Sequence, residues 1–498
     1  MKMIRGLLRK YNNIPIAAKA TIWFIFCSTL QKCISLITTP IFTRIMTTEQ
    51  FGQFSVYNSW LQILTIITTL RLNYAVFNKG MSKYREDRDG YTATMQSLTF
   101  VITLFVLGIY LIFRRQVNAL TELPTFIMIA IFAELLVTPA IDFWTIRKRY
   151  EYIYKPVVIR TVAMALINAV LGVVAVYVSE EKGYARIISC VIVNIVFGIS
   201  LFIYNRKQGK TWFKREYAKF AILFNLPLLL HYFSLYILDQ FDRIMIQKMD
   251  GIAAAGIYSV AYSAGLLMKI ITQSVNSALV PWQYEKLERR ELKNLDNTLF
   301  SVFALIAACS LLFSAFAPEI MRILADEKYY EAIYVIPPVA LSMFFTFEYT
   351  TFANVEFFFD QNKFTMYVSV GGALLNVVLN YVGIKMFGYI AAAYTTLICY
   401  AVFTFSHYIY MSYSIKKALD IDKIFNPTRL VILNSVVLVC GTFVIFLYRT
   451  FVVRYIVIVG CMSILFINRK KIMHGMLGDM PQACDYHSKR YHKNECSN

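Results

Sequence analysis

The sequence predicts an all-α, polytopic membrane protein, and three observations carry that expectation. Of 498 residues, 58% are hydrophobic and only 16% are charged, and the mean hydropathy is +0.54. A soluble protein carries roughly 25% charged residues, so too few remain here to coat a water-facing surface. The apolar residues gather into long runs of the length a helix needs to cross about 30 Å of hydrocarbon. Basic residues also fall mainly on one side of the loops those runs define. Together these exclude a soluble enzyme, a coiled coil, a disordered chain and a β-barrel built from short alternating strands.

Fourteen segments meet the length requirement. Span 1, 18–45, follows a basic start (MKMIRGLLRKYNN) with no small-residue cleavage site, so it reads as a retained helix rather than a signal peptide. Span 2, 52–78, contains Arg71, and span 3 is 93–113. Span 4, 124–146, holds Glu134 and Asp142 and runs into the basic loop 147–155 (RKRYEYIYK). Spans 5 (156–178) and 6 (185–204) end at a second basic loop, 205–217 (NRKQGKTWFKREY). Spans 7 (218–247) and 8 (253–281) carry Asp239, Asp242, Arg243 and Lys269. The gap 282–297 leads to span 9, 298–317, and the acidic stretch 318–331 leads to span 10, 332–359, with Glu348 and Glu356. Spans 11 to 14 are 364–387, 389–412, 428–448 and 451–467, and only Tyr448, Arg449 and Thr450 separate the last two.

With both termini inside, the inner loops and tails receive roughly three times as many Lys and Arg residues as the outer ones. The net charge of +20 is therefore read as cytoplasmic anchoring, not as nucleic-acid binding. Every loop is short, so recognition has to happen within the helices or at their ends. An internal repeat supports a two-lobed plan. Gly52, Ser55, Val56 and Ser59 in FGQFSVYNS match Gly256, Ser259, Val260 and Ser263 in AGIYSVAYS. The copies lie six spans apart, an even number, which predicts a parallel repeat about an axis along the membrane normal. The expected organisation is two pseudo-symmetric six-helix lobes around a central cavity, 1–217 and 218–412, then helices 13–14 at 413–467 and a basic cytoplasmic tail at 468–498.

Charges within spans are the strongest candidates for function. A cation at the bilayer centre costs roughly 2.5–3.5 kcal/mol on insertion scales, so it faces a wet cavity or a partner. Lys32 shares a helical face with Ser28, Ser35 and Thr39, and Lys269 with Tyr262, Thr272, Gln273 and Asn276. Arg71 lines up with Thr68, Tyr74 and Asn78. These stripes suit a water-filled lumen; hydrogen bonding between helices is the alternative. Arg160 lies close to Pro156, so snorkelling to the inner interface competes with a binding role. Tyr232, Tyr236, Asp239, Asp242 and Arg243 share one side of span 7. Asp239 and Arg243 either pair within the helix or form part of an outer gate. Among the deep carboxylates, Glu134 and Glu348 are the proton or Na⁺ candidates, while Asp142 and Glu356 lie nearer the inner helix ends.

No Walker motif, HExxH or GxSxG occurs, and no loop domain is available to hold a donor substrate, so the chain is not expected to be an enzyme. No cofactor is expected. The seven cysteines within spans read as small buried hydrophobes. Cys484, His487, His492 and Cys496 in the tail have ligand-like types but too short a central spacer for a zinc finger, so no metal site is expected.

At the repeat the chain resembles a known group. TPIFTRIMTTEQFGQFSVYNSW (39–60), and DQFDRIMIQKM with AGIYSVAYS (239–249 and 255–263), are similar to the half-repeat signatures of bacterial polysaccharide-biosynthesis flippases. These belong to the multidrug/oligosaccharidyl-lipid/polysaccharide (MOP) exporter superfamily. The resemblance implies a flippase in the bacterial cytoplasmic (inner) membrane. It would move undecaprenyl-diphosphate-linked oligosaccharide units from the inner to the outer leaflet for O-antigen, capsule or exopolysaccharide assembly. A polysaccharide polymerase and a chain-length regulator are the partners the family implies, besides membrane lipids. On this reading Arg71, Lys269, Lys32 and Arg160 serve the diphosphate, Tyr262 and Tyr232 the sugars, and Asp239, Asp242, Arg243, Glu134 and Glu348 gating or ion coupling. The alternative is a multidrug or cation exporter of the same superfamily, whose cavity would be acidic.

Overall fold

The computed structural model describes residues 15–291, 295–359, 362–419 and 424–467. The described chain is helical throughout, with no strand among the described residues. In order, the helices are α1 (Ile16–Ile45), α2 (Thr48–Thr69), α3 (Ala75–Lys83), α4 (Arg88–Ile112), α5 (Arg114–Thr121), α6 (Thr125–Val137) and α7 (Pro139–Tyr150). They continue as α8 (Tyr154–Val178), α9 (Lys182–Gly209), α10 (Arg215–Asn225), α11 (Leu229–Asp250), α12 (Ile252–Gly265) and α13 (Leu267–Glu288). The rest are α14 (Leu295–Ala315), α15 (Ala317–Leu324), α16 (Ile336–Phe358), α17 (Asn362–Phe387), α18 (Ala391–Leu419), α19 (Pro427–Phe446) and α20 (Phe451–Ile467).

Helix is the structure these apolar runs must adopt, because hydrocarbon offers no partner for backbone N–H and C=O groups. Among the described residues, eleven helical stretches are long and apolar enough to cross a membrane. α2 and α18, more polar but long, and the shorter α20 occupy the other predicted positions. Caps mark the starts. Thr47 and Gln50 form a reciprocal capping box at α2, and Asn426 accepts from Thr428 and Arg429 ahead of Pro427 at α19. Basic residues close α7 (Arg147, Lys148, Arg149), α9 (Arg206, Lys207) and α18 (Lys416, Lys417), where they complement the helix dipole.

Several spans are broken. Span 7 is interrupted by the 3₁₀ turn Leu226–Leu228 around Pro227, whose missing N–H ends α10. Span 8 divides at Leu266. The break in span 2 has neither Gly nor Pro. Leu70 and Arg71 both take left-handed backbone, with φ of 47° and 53°. Each such residue costs roughly 1–3 kcal/mol and persists only where its surroundings hold it.

Contacts divide the chain into two compact units, residues up to Ser259 with Leu324–Asp326, and Val260–Ile323 with the residues from Glu327 onward. In the first unit, α11 packs along α2, and Leu72, Val76, Phe77, Tyr91, Phe143 and Tyr217 form an aromatic-rich core around α3. In the second, the almost wholly buried α16 packs against α13, α14 and α18.

The repeat signature is a helix crossing within the first unit. A Cβ on Gly52 would lie 2.0 Å from the Ile252 carbonyl oxygen, and one on Gly256 would lie 2.2 Å from that of Thr48. Residues 48 and 252, 52 and 256, and 55 and 259 are equivalent in the repeat, so the contact is reciprocal. Ser55 and Ser259 share a short hydrogen bond one turn further along. Small residues let the two backbones approach this closely.

The expectation for the cysteines needs correction. Cys27 and Cys399 are buried, but Cys33, Cys440 and Cys461 are exposed on their helices. In a bilayer the outer surface is itself apolar, so membership of a span does not require burial within the protein. The tail at 468–498, with Cys484, His487, His492 and Cys496, lies outside the described residues.

Candidate functional site

Arg71 sits in the α2–α3 break, and three tyrosines from two spans surround it. Its guanidinium lies 4.9 Å from the ring centroid of Tyr236, 5.3 Å from that of Tyr74 and 5.9 Å from that of Tyr232. Nη1 donates to the Tyr236 hydroxyl at 2.9 Å. The Tyr74 and Tyr232 rings meet edge to face at 5.6 Å. Tyr232 is 6% exposed and Tyr74 is 54% exposed, so the cage is walled by α11 and open past Tyr74. Cation–π contact contributes about 0.5–2 kcal/mol per good face, which offsets part of the cost of taking a guanidinium out of water. Nε is buried with no hydrogen-bond partner among the described residues. The forked head therefore keeps donors available, in the geometry that suits a phosphate or carboxylate.

The break itself is tied down. The Asn225 side chain donates to the Leu70 carbonyl that the broken helix frees. The Arg71 N–H donates to Thr69 Oγ1 at 3.2 Å, and Tyr74 N–H to the Arg71 carbonyl at 3.1 Å. Interruptions of two spans thus meet, and the end of α10 supplies what the end of α2 lacks. Next to Arg71, Asn73 Nδ2 donates to Asp142 Oδ2 at 2.7 Å. Asp142 is exposed while Phe143 and Trp144 are buried. The acid and the arginine therefore share one polar region.

A second polar core lies deeper in the same unit. Glu134, 3% exposed, accepts from Tyr57 Oη at 2.5 Å and from Asn194 Nδ2 at 2.7 Å. Asn168 links Cys190 at 3.2 Å to Arg186 at 2.9 Å. The Arg186 guanidinium sits 4.7 Å from both the Phe42 and Phe54 rings. A Cβ on Gly172 would come within 2.7 Å of Arg186 Nη1, so glycine makes room for it.

In the second unit, Glu356 and His407 form a fully buried pair, 3.0 Å from His407 Nδ1 to Glu356 Oε1, with Tyr349 stacked on the imidazole. Glu348 is fully buried beside Asn434.

The sequence named Arg71 and Tyr232 separately, and the structure brings them within 5.9 Å, whereas the helical face expected for Arg71 with Thr68 and Asn78 is interrupted by the break at Leu70 and Arg71. The other candidates have surroundings of their own. Arg160 rests over the Trp144 ring at 4.7 Å. Arg243 donates to the Asp239 carbonyl at 2.8 Å and to Gln240, and Asp242 accepts from the Tyr258 hydroxyl at 2.9 Å. Lys32 is exposed on α1; Lys269 is half-buried and Tyr262 buried in the second unit. Asn225, Arg186 and His407 were missed. Arg186, Cys190 and Asn194 recur every four residues, a polar stripe that the sequence does contain.

The fold defines a multi-spanning membrane protein. The chain matches the family described as Polysaccharide biosynthesis protein over residues 17–285 and the MatE family over 227–382. A protein of the Lsg locus of Haemophilus influenzae is 23% identical over 359 residues, covering 70% of this chain and 86% of its own length. The fold is similar to that of the lipid II flippase MurJ in an inward closed conformation (TM-score 0.64, 13% identity, 91% of this chain and 100% of that one). It is also similar to an inward-facing multidrug resistance MATE transporter of the MOP superfamily (TM-score 0.56, 12% identity, 78% and 96%). The chain belongs to the polysaccharide biosynthesis protein family.

Proposed function

We propose that this protein flips undecaprenyl-diphosphate-linked oligosaccharides from the inner to the outer leaflet of a bacterial cytoplasmic membrane, with both termini in the cytoplasm. The observation that carries the reading is Arg71, caged by three tyrosines at a helix break, with guanidinium donors left over. The diphosphate would meet that fork, and the tyrosine faces would lie against sugar rings. Lys269, Lys32 and Arg160 would extend the basic path. The prenyl tail would stay in lipid, because neither diphosphate nor sugars cross bare hydrocarbon. The two halves of the repeat would rock to alternate access, with Asp239, Asp242 and Arg243 at the gate. The protein itself would make or break no covalent bond.

Energy would come from the membrane potential or from ions. Moving two negative charges outward through 100 mV gains about 4.6 kcal/mol. H⁺ or Na⁺ exchange through Glu134 or Glu348 is the other source. Transport that ignores the potential but collapses with the pH gradient would select the carboxylates.

The experiment is the sidedness of the lipid-linked oligosaccharide in cells lacking the protein, complemented with wild type or with Arg71→Ala plus Lys269→Ala at matched expression. Inner-leaflet accumulation in the deletion and in the double variant, cleared by wild type, is the expected result. Normal clearance by the double variant would overturn the binding site and leave flipping standing. No accumulation in a deletion lacking redundant flippases would reject the substrate. The MatE match over 227–382 supports drug or cation efflux as the second reading, tested by efflux in the same strains.

A further inference from the structure

The loop between α9 and α10 is not used by the transport reading, yet it displays cations and aromatics side by side. The Arg206 guanidinium stacks on the Trp212 ring at 3.6 Å and donates to the Thr211 carbonyl at 2.5 Å. Lys210 turns the chain through left-handed backbone, φ 54°. Lys214 N–H donates to Thr94 Oγ1 at 3.2 Å, and its ammonium pairs with Asp87, which also accepts from Tyr217 at 2.8 Å. The loop is therefore fastened at both ends. What it holds out is Trp212, 59% exposed, and Phe213, 50% exposed. Lys207, Lys210, Arg215 and Lys219 are exposed around them, against one exposed acid within the loop and the first turns of α10, Glu216.

Both flanking helices locate this loop relative to the hydrocarbon. On α9 the large exposed residues are apolar or aromatic through Ile199, Ile203 and Tyr204, and become cationic at Lys207. From α10 into the 3₁₀ turn the order reverses, from Lys219 to exposed Leu223 and Leu226. Each transition takes about one helical turn, roughly 5 Å. The chain between the two transitions lies at the level where lipid headgroups begin, and Trp is the residue favoured at that level. Exposed cations beside interfacial aromatics match anionic headgroups, which attract such clusters near the inner surface.

We infer that residues 206–219 form a preorganised docking surface for anionic phospholipid headgroups, with Trp212 and Phe213 inserted at the interface and Lys207, Lys210, Arg215 and Lys219 holding phosphate. The positive-inside excess alone would need the charges but not the fastened aromatic pair.

The test uses the full-length protein in nanodiscs containing brominated phosphatidylglycerol or brominated phosphatidylcholine at equal mole fraction. The Trp212 signal is taken as the fluorescence difference between wild type and Trp212→Phe. The expected result is Trp212 quenching roughly twofold or more stronger with the brominated anionic lipid. Lys207→Gln, Lys210→Gln, Arg215→Gln and Lys219→Gln together should remove that excess and keep the quenching by the zwitterionic lipid. All four residues are exposed, and a size-exclusion profile matching wild type confirms the fold. Equal quenching by the two lipids overturns the anionic selectivity, and absence of quenching by either overturns the placement. An excess that survives the fourfold variant overturns the assignment of the cations.

Discussion

Replacing either glycine of the repeat should force its crossing apart, and the reciprocity of the contact sets how two replacements combine. In Gly256→Ala the new Cβ lies 2.2 Å from the Thr48 carbonyl oxygen, a backbone atom that cannot rotate away. Ordinary contact needs more than 3 Å, so α2 and α12 must separate by at least about 1 Å. That separation also breaks the Ser55–Ser259 hydrogen bond, whose net worth is about 1 kcal/mol. Overpacking of this kind costs about 1–3 kcal/mol, giving about 2–4 kcal/mol for the first substitution. Gly52→Ala demands the same movement, since its Cβ would meet the Ile252 carbonyl oxygen at 2.0 Å. Once one substitution has opened the crossing, the second should add less than about half as much, a coupling of about 1 kcal/mol or more. The assay is a double-mutant cycle on the thermal unfolding of the full-length protein in one detergent. Additive shifts, or two single variants as stable as wild type, would refute the reciprocal crossing.

Three further outcomes follow from the geometry. Asn225→Ala strands the Leu70 carbonyl, which should cost about 1–3 kcal/mol in thermal stability and release Arg71 from its cage; unchanged stability would show that another donor takes over. Removing one partner of the buried Glu356–His407 pair, as in His407→Leu, should destabilise by about 3–5 kcal/mol, and adding Glu356→Leu should recover part of the loss, measured by the same unfolding assay. On the loop after α7, burial pushes the Glu151 carboxyl up, but hydrogen bonds from Arg147 at 3.0 Å and Lys148 at 3.1 Å prevail and hold it below its ordinary value. Its contribution is therefore fully present above about pH 4.3 and disappears as pH falls through the lowered native value. Wild type should lose its stability advantage over Glu151→Gln in that acidic range; a constant difference down to pH 3 would contradict the ion-pair account.

How much of this was legible beforehand varies by element. All fourteen apolar runs are built from helix, some of them interrupted, because hydrocarbon offers the backbone no other partner. The GxxS match drew attention to Gly52 and Gly256, although not to the fact that the two glycines touch. Asp142 and Glu356 looked like mere helix-end acids; one faces Asn73 beside Arg71, and the other is buried against His407 from a different helix. Such pairings depend on which helices become neighbours, and periodicity along one helix carries no information about that.

Arg71 shows the division most clearly. Composition and run length alone determined that this chain spans a membrane, and the cost of a buried guanidinium alone made Arg71 a candidate. Its setting could not be read, because TLRLNYA contains no helix breaker. Leu70 and Arg71 adopt left-handed backbone only because Asn225, distant in sequence, satisfies the carbonyl they free, and because three tyrosine rings receive the cation. Local preference opposes that conformation by roughly 1–3 kcal/mol per residue. Only tertiary contacts supply the opposing free energy, so only the folded chain decides where its arginine points.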